Sequence, residues 1–318
     1  MKTKTIPIIQ ISLLLACLLL FTTCVKEDLD ECGTTRVWIT LNPDMYELPA
    51  GEHQIQNIHV YIFNENETLV AEWEGGPYDY RTGQPCEVPV DLAPGTYHFT
   101  AWTNIGQQYQ THTATRLKES ELHLRNDGTA PFTQDIPDLH YAAGEKIIVS
   151  PRQEHEYTLH LIPNTYRINL AVNGLPGNNN VKPYQFTLSD NNSAYDFNNR
   201  IVGNQPVYTH ERTGTLQQGK LNAGIRTLTL HNDHAIENIG KEDTGDRSPT
   251  LTLRESTGST TLFTGNLVKI IRTAYAKAGK QADFDKTYQF DIILSFDADM
   301  NVTISVNGWT YTPNGTEL

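Results

Sequence analysis

The chain has 318 residues, enough for two domains of ordinary size. Acidic residues outnumber basic ones 37 to 24, a formal charge of −13, and no basic cluster interrupts that balance. A surface of this sign repels nucleic acid, which excludes that class of partner.

The N-terminus carries the clearest signal. Lys2 and Lys4 precede an apolar run over residues 11–21, and Phe21-Thr22-Thr23 closes on Cys24. This layout predicts a secretory signal over residues 1–23, cut just before a cysteine. A helix needs about 20 apolar residues to cross a bilayer, so the run is too short for a lasting span. Cys24 is therefore the expected lipidation site, with an ordinary signal and an incidental cysteine as the alternative. One acyl chain, at about 0.8 kcal/mol per buried CH₂, holds weakly, whereas two or more hold firmly. Residues 24–35, which include Lys26-Glu27-Asp28-Leu29-Asp30-Glu31, read as an acidic tether. Removing residues 1–23 takes Lys2 and Lys4 away, leaving 22 basic against 37 acidic residues and a charge of −15. Cys32 and Cys86 then remain as an even pair in an oxidising compartment, and a disulfide between them is expected. Closing that loop would contribute roughly 4 kcal/mol on a chain-entropy argument.

From Arg36 onward the pattern has period two. Val37, Ile39 and Leu41 form one set, and Ile58, Val60 and Ile62 the next. Val88, Val90 and Leu92 lead to Pro94-Gly95, after which Tyr97, Phe99 and Ala101 alternate with Thr96, His98 and Thr100. Pro then Gly suits a type II turn, so residues 88–101 predict a hairpin with one wet face and one buried face. Tyr157, Leu159 and Leu161 follow, then Ile168, Leu170 and Val172. Leu228 with Leu230, and Leu251 with Leu253, are shorter sets. Phe290, Ile292, Leu294 and Phe296 make the clearest set, ahead of Val302, Ile304 and Val306. Residues 266–280 instead place Leu267, Ile270, Ile271, Ala274 and Ala278 at helical spacing, with Gly279 as a stop. Residues 116–124 predict a second short helix. Segments 174–182, 191–205 and 232–249 are rich in Gly, Asn, Asp and Pro and predict loops. The expected fold class is all-β: two antiparallel β-sandwich domains, 36–155 and 156–318, with one or two short helices.

The residues offer no catalytic, cofactor or metal site. His155 and His160 lie five apart, not four as on a zinc-protease helix, and a strand sends them to opposite faces. His231 and His234 have no third ligand nearby. Asp297, Asp299 and Asn301 lack the glycine and distal Glu of a calcium loop and suit a turn instead. Asp283 and Asp285 have no context for acid–base work, and there is neither a nucleophile elbow nor a phosphate-cradling loop. An enzyme is not expected. Trp73, Tyr78, Tyr80, Trp102, Trp309 and Tyr311 could stack on sugars, although strands favour aromatics in any case.

Four pieces, in order, carry a resemblance. They are Asp28-Leu29-Asp30-Glu31-Cys32 ahead of the strand at Arg36; Ile58-His59-Val60-Tyr61-Ile62-Phe63; Leu92-Ala93-Pro94-Gly95-Thr96-Tyr97-His98-Phe99-Thr100-Ala101-Trp102; and Val302-Thr303-Ile304-Ser305-Val306-Asn307-Gly308-Trp309. Together they resemble the fimbrillin-A-associated anchor family of Bacteroidia fimbriae. The resemblance implies two transthyretin-like sandwiches in a surface-exposed outer-membrane lipoprotein, attached to the membrane through Cys24. It implies a role in anchoring or capping a fimbria, with a fimbrial shaft subunit as partner. Related shaft subunits are cut at an arginine and polymerise by donating a strand; Arg36 is read here as an ordinary strand residue. A shaft or tip subunit and a glycan-binding lipoprotein are the alternatives.

Overall fold

The computed structural model describes residues 34–42, 55–78, 85–106, 108–126, 128–144, 146–151, 153–175, 184–217, 219–230, 247–257 and 260–314. The chain is mostly strand. The first part contains β1 (Thr35–Leu41), β2 (Ile58–Asn64), β3 (Leu69–Gly75), β4 (Cys86–Val88), β5 (Gly95–Thr103), β6 (Tyr109–His112), β7 (Glu121–Leu124), β8 (His140–Ala143), β9 (Ile147–Val149) and β10 (His155–Pro163). The largest sheet runs in the order β3-β2-β5-β8-β10-β1-β4, with β9 also on β5. It closes on a core that includes Val37, Ile39, Val60, Phe99, Leu159 and Leu161. The alternation read from the sequence is the cause, because Val37 and Ile39 point inward while Arg36 is exposed and Trp38 is half-buried. β10 begins at the expected domain seam, yet it pairs with β1 and β8, so strand pairing carries this sheet on to Pro163.

The second part contains β11 (Thr165–Asn173), β12 (Tyr184–Asp190), β13 (Ala194–Asp196), β14 (Tyr208–Thr213), β15 (Thr215–Gln217), β16 (Lys220–Leu228), β17 (Thr250–Glu255), β18 (Thr261–Asn266), α1 (Leu267–Lys277), β19 (Gln289–Phe296), β20 (Val302–Val306) and β21 (Trp309–Tyr311). Two sheets, β15-β16-β11-β19-β20-β21 and β14-β12-β17-β18, enclose Ile168, Leu170, Phe186, Leu253, Phe290 and Ile292. Among the described strands, pairing is antiparallel except at β1–β10 and β11–β19. The helix forms where its spacing predicts. Asn266 caps its first turn by accepting from Lys269 N at 2.9 Å, and Leu267, Ile270, Ile271 and Ala274 face the core. Gly279 (φ +69°) ends it, with Lys280 N reaching back to Tyr275 O at 2.9 Å.

Three expectations fail. Residues 116–124 are not a helix: one 3₁₀ turn, Leu117–Glu119, leads into β7, whose Leu122 and Leu124 are buried at strand spacing. Residues 88–101 are not a hairpin. β4 pairs with β1 whereas β5 pairs with β2, β8 and β9, and Gly95 does not take positive φ. Nor does β5 keep a wet face, since Thr100 and Trp102 are as buried as Phe99 and Ala101. The reason lies in residues 191–205, expected to be a polar loop. They supply β13, which pairs with β7 to extend a three-stranded sheet β13-β7-β6, and they bury Tyr195 and Phe197. These rings lie against Trp102, at centroid distances of 6.1 and 6.5 Å, and join the two halves of the chain in one hydrophobic cluster.

Candidate assembly surface

Cys24 and Cys32 lie outside the described residues. The tether enters the fold at β1, which is held on both sides: parallel to β10 over residues 155–161 and antiparallel to β4. Arg36 sits in register with Glu156 and pairs with it at 3.7 Å. Both side chains are exposed, so this pair contributes only about 0.2–1 kcal/mol. Cys86 sits opposite Ile39 on the edge strand β4 and is buried and unpaired among the described residues. Its thiol donates to Glu87 O at 3.7 Å. Burial pushes the thiol pKa up, and the Tyr78 hydroxyl pulls it part of the way back.

The sheets expose several edges, and each open edge presents unpaired main-chain groups to an extended segment. β4 is three residues long, and β15 is three residues and wholly exposed. The edge of β14 is covered by Phe132, whose N–H donates to Thr209 O (2.8 Å) and whose carbonyl accepts from Glu211 N (2.9 Å). β3 is the seven-residue rim of the first sheet; it pairs with β2, and Thr115 O covers it at Leu69. Val70, Glu72 and Glu74 project from its exposed side.

The sequence-predicted aromatics do not form a platform. Trp102 and Tyr311 are core residues, which overturns their reading as surface rings. Trp73 and Tyr78 are half-buried against the first core. Trp309 is half-exposed and takes the Lys280 ammonium over its ring at 4.4 Å, a cation–π contact. Tyr80 lies outside the described residues. His155 and His160 project from opposite faces of β10; His231 and His234 lie outside the described residues. Asp297 closes the β19–β20 turn by accepting from Asp299 N and Asn301 N, each at 2.9 Å. Asp283 caps a turn at Asp285 N (3.0 Å) and pairs with Lys286 at 3.8 Å. Among the described residues, no cluster of three or more His, Cys, Asp or Glu could hold a metal ion. None of their helices is long and apolar enough to cross a membrane.

One buried group carried no signal in the sequence. His210 on β14 is fully buried, with neither ring nitrogen hydrogen-bonded. Phe132 covers its ring at 5.5 Å and Tyr208 meets it edge-on at 5.4 Å. Burial, seconded by the Arg212 charge, lowers its pKa to about 4. The fold therefore holds the neutral ring. The stability tied to this residue is complete above the unfolded pKa of about 6.5 and declines as pH falls from there toward 4. Relative to a His210→Phe variant, the wild type should lose about 2 kcal/mol between pH 7 and pH 5. Urea denaturation at the two pH values measures this, and parallel losses in both proteins would refute it.

A family model described as fimbrillin-A-associated anchor proteins Mfa1 and Mfa2 matches residues 29–314. Among curated proteins, none matches by sequence. Solved structures share the fold. One is the fimbrial anchor protein Mfa2 of Porphyromonas gingivalis, 19% identical over 88% of this chain and 99% of that one, with a TM-score of 0.64. Another, from Bacteroides thetaiotaomicron and titled as a polysaccharide-binding candidate, is 18% identical over 90% and 100%, with a TM-score of 0.71. A third, titled as an adhesin candidate from the same organism, is 17% identical over 90% and 100%, with a TM-score of 0.69.

Proposed function

Because the chain belongs to the fimbrillin-A-associated anchor protein family, and so works with fimbriae, we propose that it holds a fimbria to the outer membrane. In this reading Cys24 carries the lipid, the protein faces outward, and a fimbrial shaft subunit lays an extended segment on an open sheet edge. The observation that carries the anchor over a shaft or tip subunit is the seat of β1. Its main chain pairs with β10 along its length and with β4 over Val37–Ile39, and Arg36 lies in the β10 ladder in register with Glu156. Cutting after Arg36 would sever the tether, take Thr35 and Arg36 out of the β1–β10 ladder and leave Val37–Leu41 as a free-ended N-terminal strand. The twelve residue steps from Cys24 to Arg36 span at most about 40 Å, which keeps the first sandwich at the membrane. Cys32 sits in that tether and Cys86 on the adjoining edge strand, and their disulfide would staple the two.

Mass spectrometry of protein purified from cells tests this reading. The expected N-terminal peptide begins at acylated Cys24, and unreduced digests link Cys32 to Cys86. A Cys24→Ala strain should shed its fibres into the medium. A bare Cys24, an N-terminus at Val37, or fibres retained on the Cys24→Ala strain would overturn the anchor.

A further inference from the structure

β3 is the longest edge strand of the described sheets, with seven residues against six in β14 and β18 and three each in β4, β15 and β21. Phe132 covers β14, and β18 turns directly into α1, whose Ile270 lies against Gly265. On β3, Thr115 O takes the Leu69 N–H at 2.8 Å; from Val70 to Gly75 the main chain pairs, among the described residues, with β2 alone. Six residues leave about 20 Å of open edge at strand spacing. The register fixes what each side chain does. Phe63 faces Leu69 and Ile62 faces Ala71, so Val70 is the extra residue of a bulge. Beyond it, Ala71 and Trp73 lie opposite Ile62 and Val60 and are half-buried against the first core. Glu72 and Glu74 stand on the other face, opposite Tyr61 and His59, and are exposed.

The carboxylates of this rim are not neutralised from within the fold. Among the described residues Glu72 has no ion pair, and Glu74 has His59 Nε2 at 3.4 Å. Burial holds the His59 pKa below its ordinary value against the pull of Glu74 and Glu72, so at neutral pH the ring does not cancel them. A second copy of the chain would set Glu72 and Glu74 against the same pair, and like charges placed opposite one another work against pairing. A strand with Lys or Arg at those positions gains where the copy loses. Its intervening residues would close over the half-exposed Ala71 and Trp73, which calls for apolar side chains. Resting on the anchor reading above, we infer that β3 is the edge that takes the fimbrial subunit's extended segment, and that this segment alternates apolar residues beside Ala71 and Trp73 with Lys or Arg beside Glu72 and Glu74.

Hydrogen exchange of the purified protein, alone and mixed with fimbriae from a strain that lacks it, tests this. The amides of residues 70–75 should slow on mixing, and those of β15 and β18 should not. Glu72→Lys together with Glu74→Lys, both at exposed positions, should keep the exchange pattern of the free protein and weaken fimbrial binding about tenfold. The synthetic peptide Thr-Lys-Val-Arg-Val-Lys-Thr should compete with the fimbriae, and Thr-Glu-Val-Glu-Val-Glu-Thr should not. The assignment falls if another edge gains the protection, if the charge-reversed variant binds unchanged, if the acidic peptide competes equally, or if the fimbriae do not bind. On cells the two readings part: fibres shed by the Cys24→Ala strain but kept by the charge-reversed one would leave the anchor standing and remove β3 from it.

Discussion

Phe197→Ala should destabilise the whole chain by about 3–5 kcal/mol, the range for truncating a large buried ring. Phe197 is fully buried and reaches across from the second half of the chain into the outer face of the first sheet. Its ring lies 4.7 Å from Tyr61 and 6.2 Å from Phe63, and such aromatic pairs contribute beyond the area they cover. Its carbonyl accepts from the Tyr141 hydroxyl at 3.1 Å and from Thr100 Oγ1 at 3.3 Å. Its N–H donates to Ser120 O at 3.2 Å. Truncation leaves a cavity between sheets that cannot collapse without moving these bonds. One cluster contains both Trp102 of the first sheet and Phe290 of the second sandwich, so the loss should be felt on both sides. Urea unfolding followed by hydrogen exchange checks this. Protection should fall in β2 and β19 together, within a single cooperative transition. If β19 kept its protection while only β2 and residues 191–205 opened, the two sandwiches would be separate folding units and the joining role of Phe197 would be wrong.

That ring also shows where sequence reading stops. β1, β19 and α1 were legible because their burial follows the local period: Val37 and Ile39 at spacing two, Phe290 through Phe296 at spacing two, Leu267 through Ala274 at spacings of three and four. The period does not say which strands meet. The two parallel pairings are contacts across more than a hundred residues, and nothing in Thr35–Leu41 names His155–Leu161 as its neighbour. Pro94-Gly95 looked like a hairpin for the same reason, since a local turn signal is blind to partners far along the chain. Residues 191–205 misled through composition. Their Asn and Asp side chains satisfy the backbone locally, as Asp196 Oδ1 does for Asn198 N and Arg200 N, each at 2.9 Å. Asn164 and Asn199 exchange side-chain hydrogen bonds, and Asn199 accepts a left-handed backbone (φ +65°). Polar residues that bond one another can be buried, and the segment then carries its two aromatics inward with it. Of the three cysteines expected to carry the lipid and the disulfide, Cys86 falls among the described residues and Cys24 and Cys32 do not.

Asp190→Ala should cost about 3–5 kcal/mol, because it leaves an arginine buried without its counter-charge. Asp190 ends β12 and Arg247 precedes β17, and their side chains are only 3% and 7% exposed. Arg247 Nη2 donates to Asp190 Oδ1, and its Nε donates to Oδ2 at 3.3 Å, a two-pronged contact. A further bond joins Arg247 Nη2 to Asn191 Oδ1 at 3.1 Å, and Asn191 N returns to Asp190 at 2.8 Å. The Arg247 carbonyl accepts from Asn266 Nδ2 at 3.2 Å, so the same knot reaches the cap of α1. Burial pushes the Asp190 carboxyl pKa up and Arg247 pulls it down, the opposition that makes such a pair costly to form and costly to break. The double variant Asp190→Leu with Arg247→Met should therefore recover most of what Asp190→Ala loses, since neither charge is then stranded. Urea denaturation of the single variants, Asp190→Leu, Arg247→Met and Asp190→Ala, beside the double one measures this coupling. If the losses of Asp190→Leu and Arg247→Met simply add, the two groups act separately, and the contribution of the knot to stability lies in the hydrogen bonds around it rather than in the charge pair.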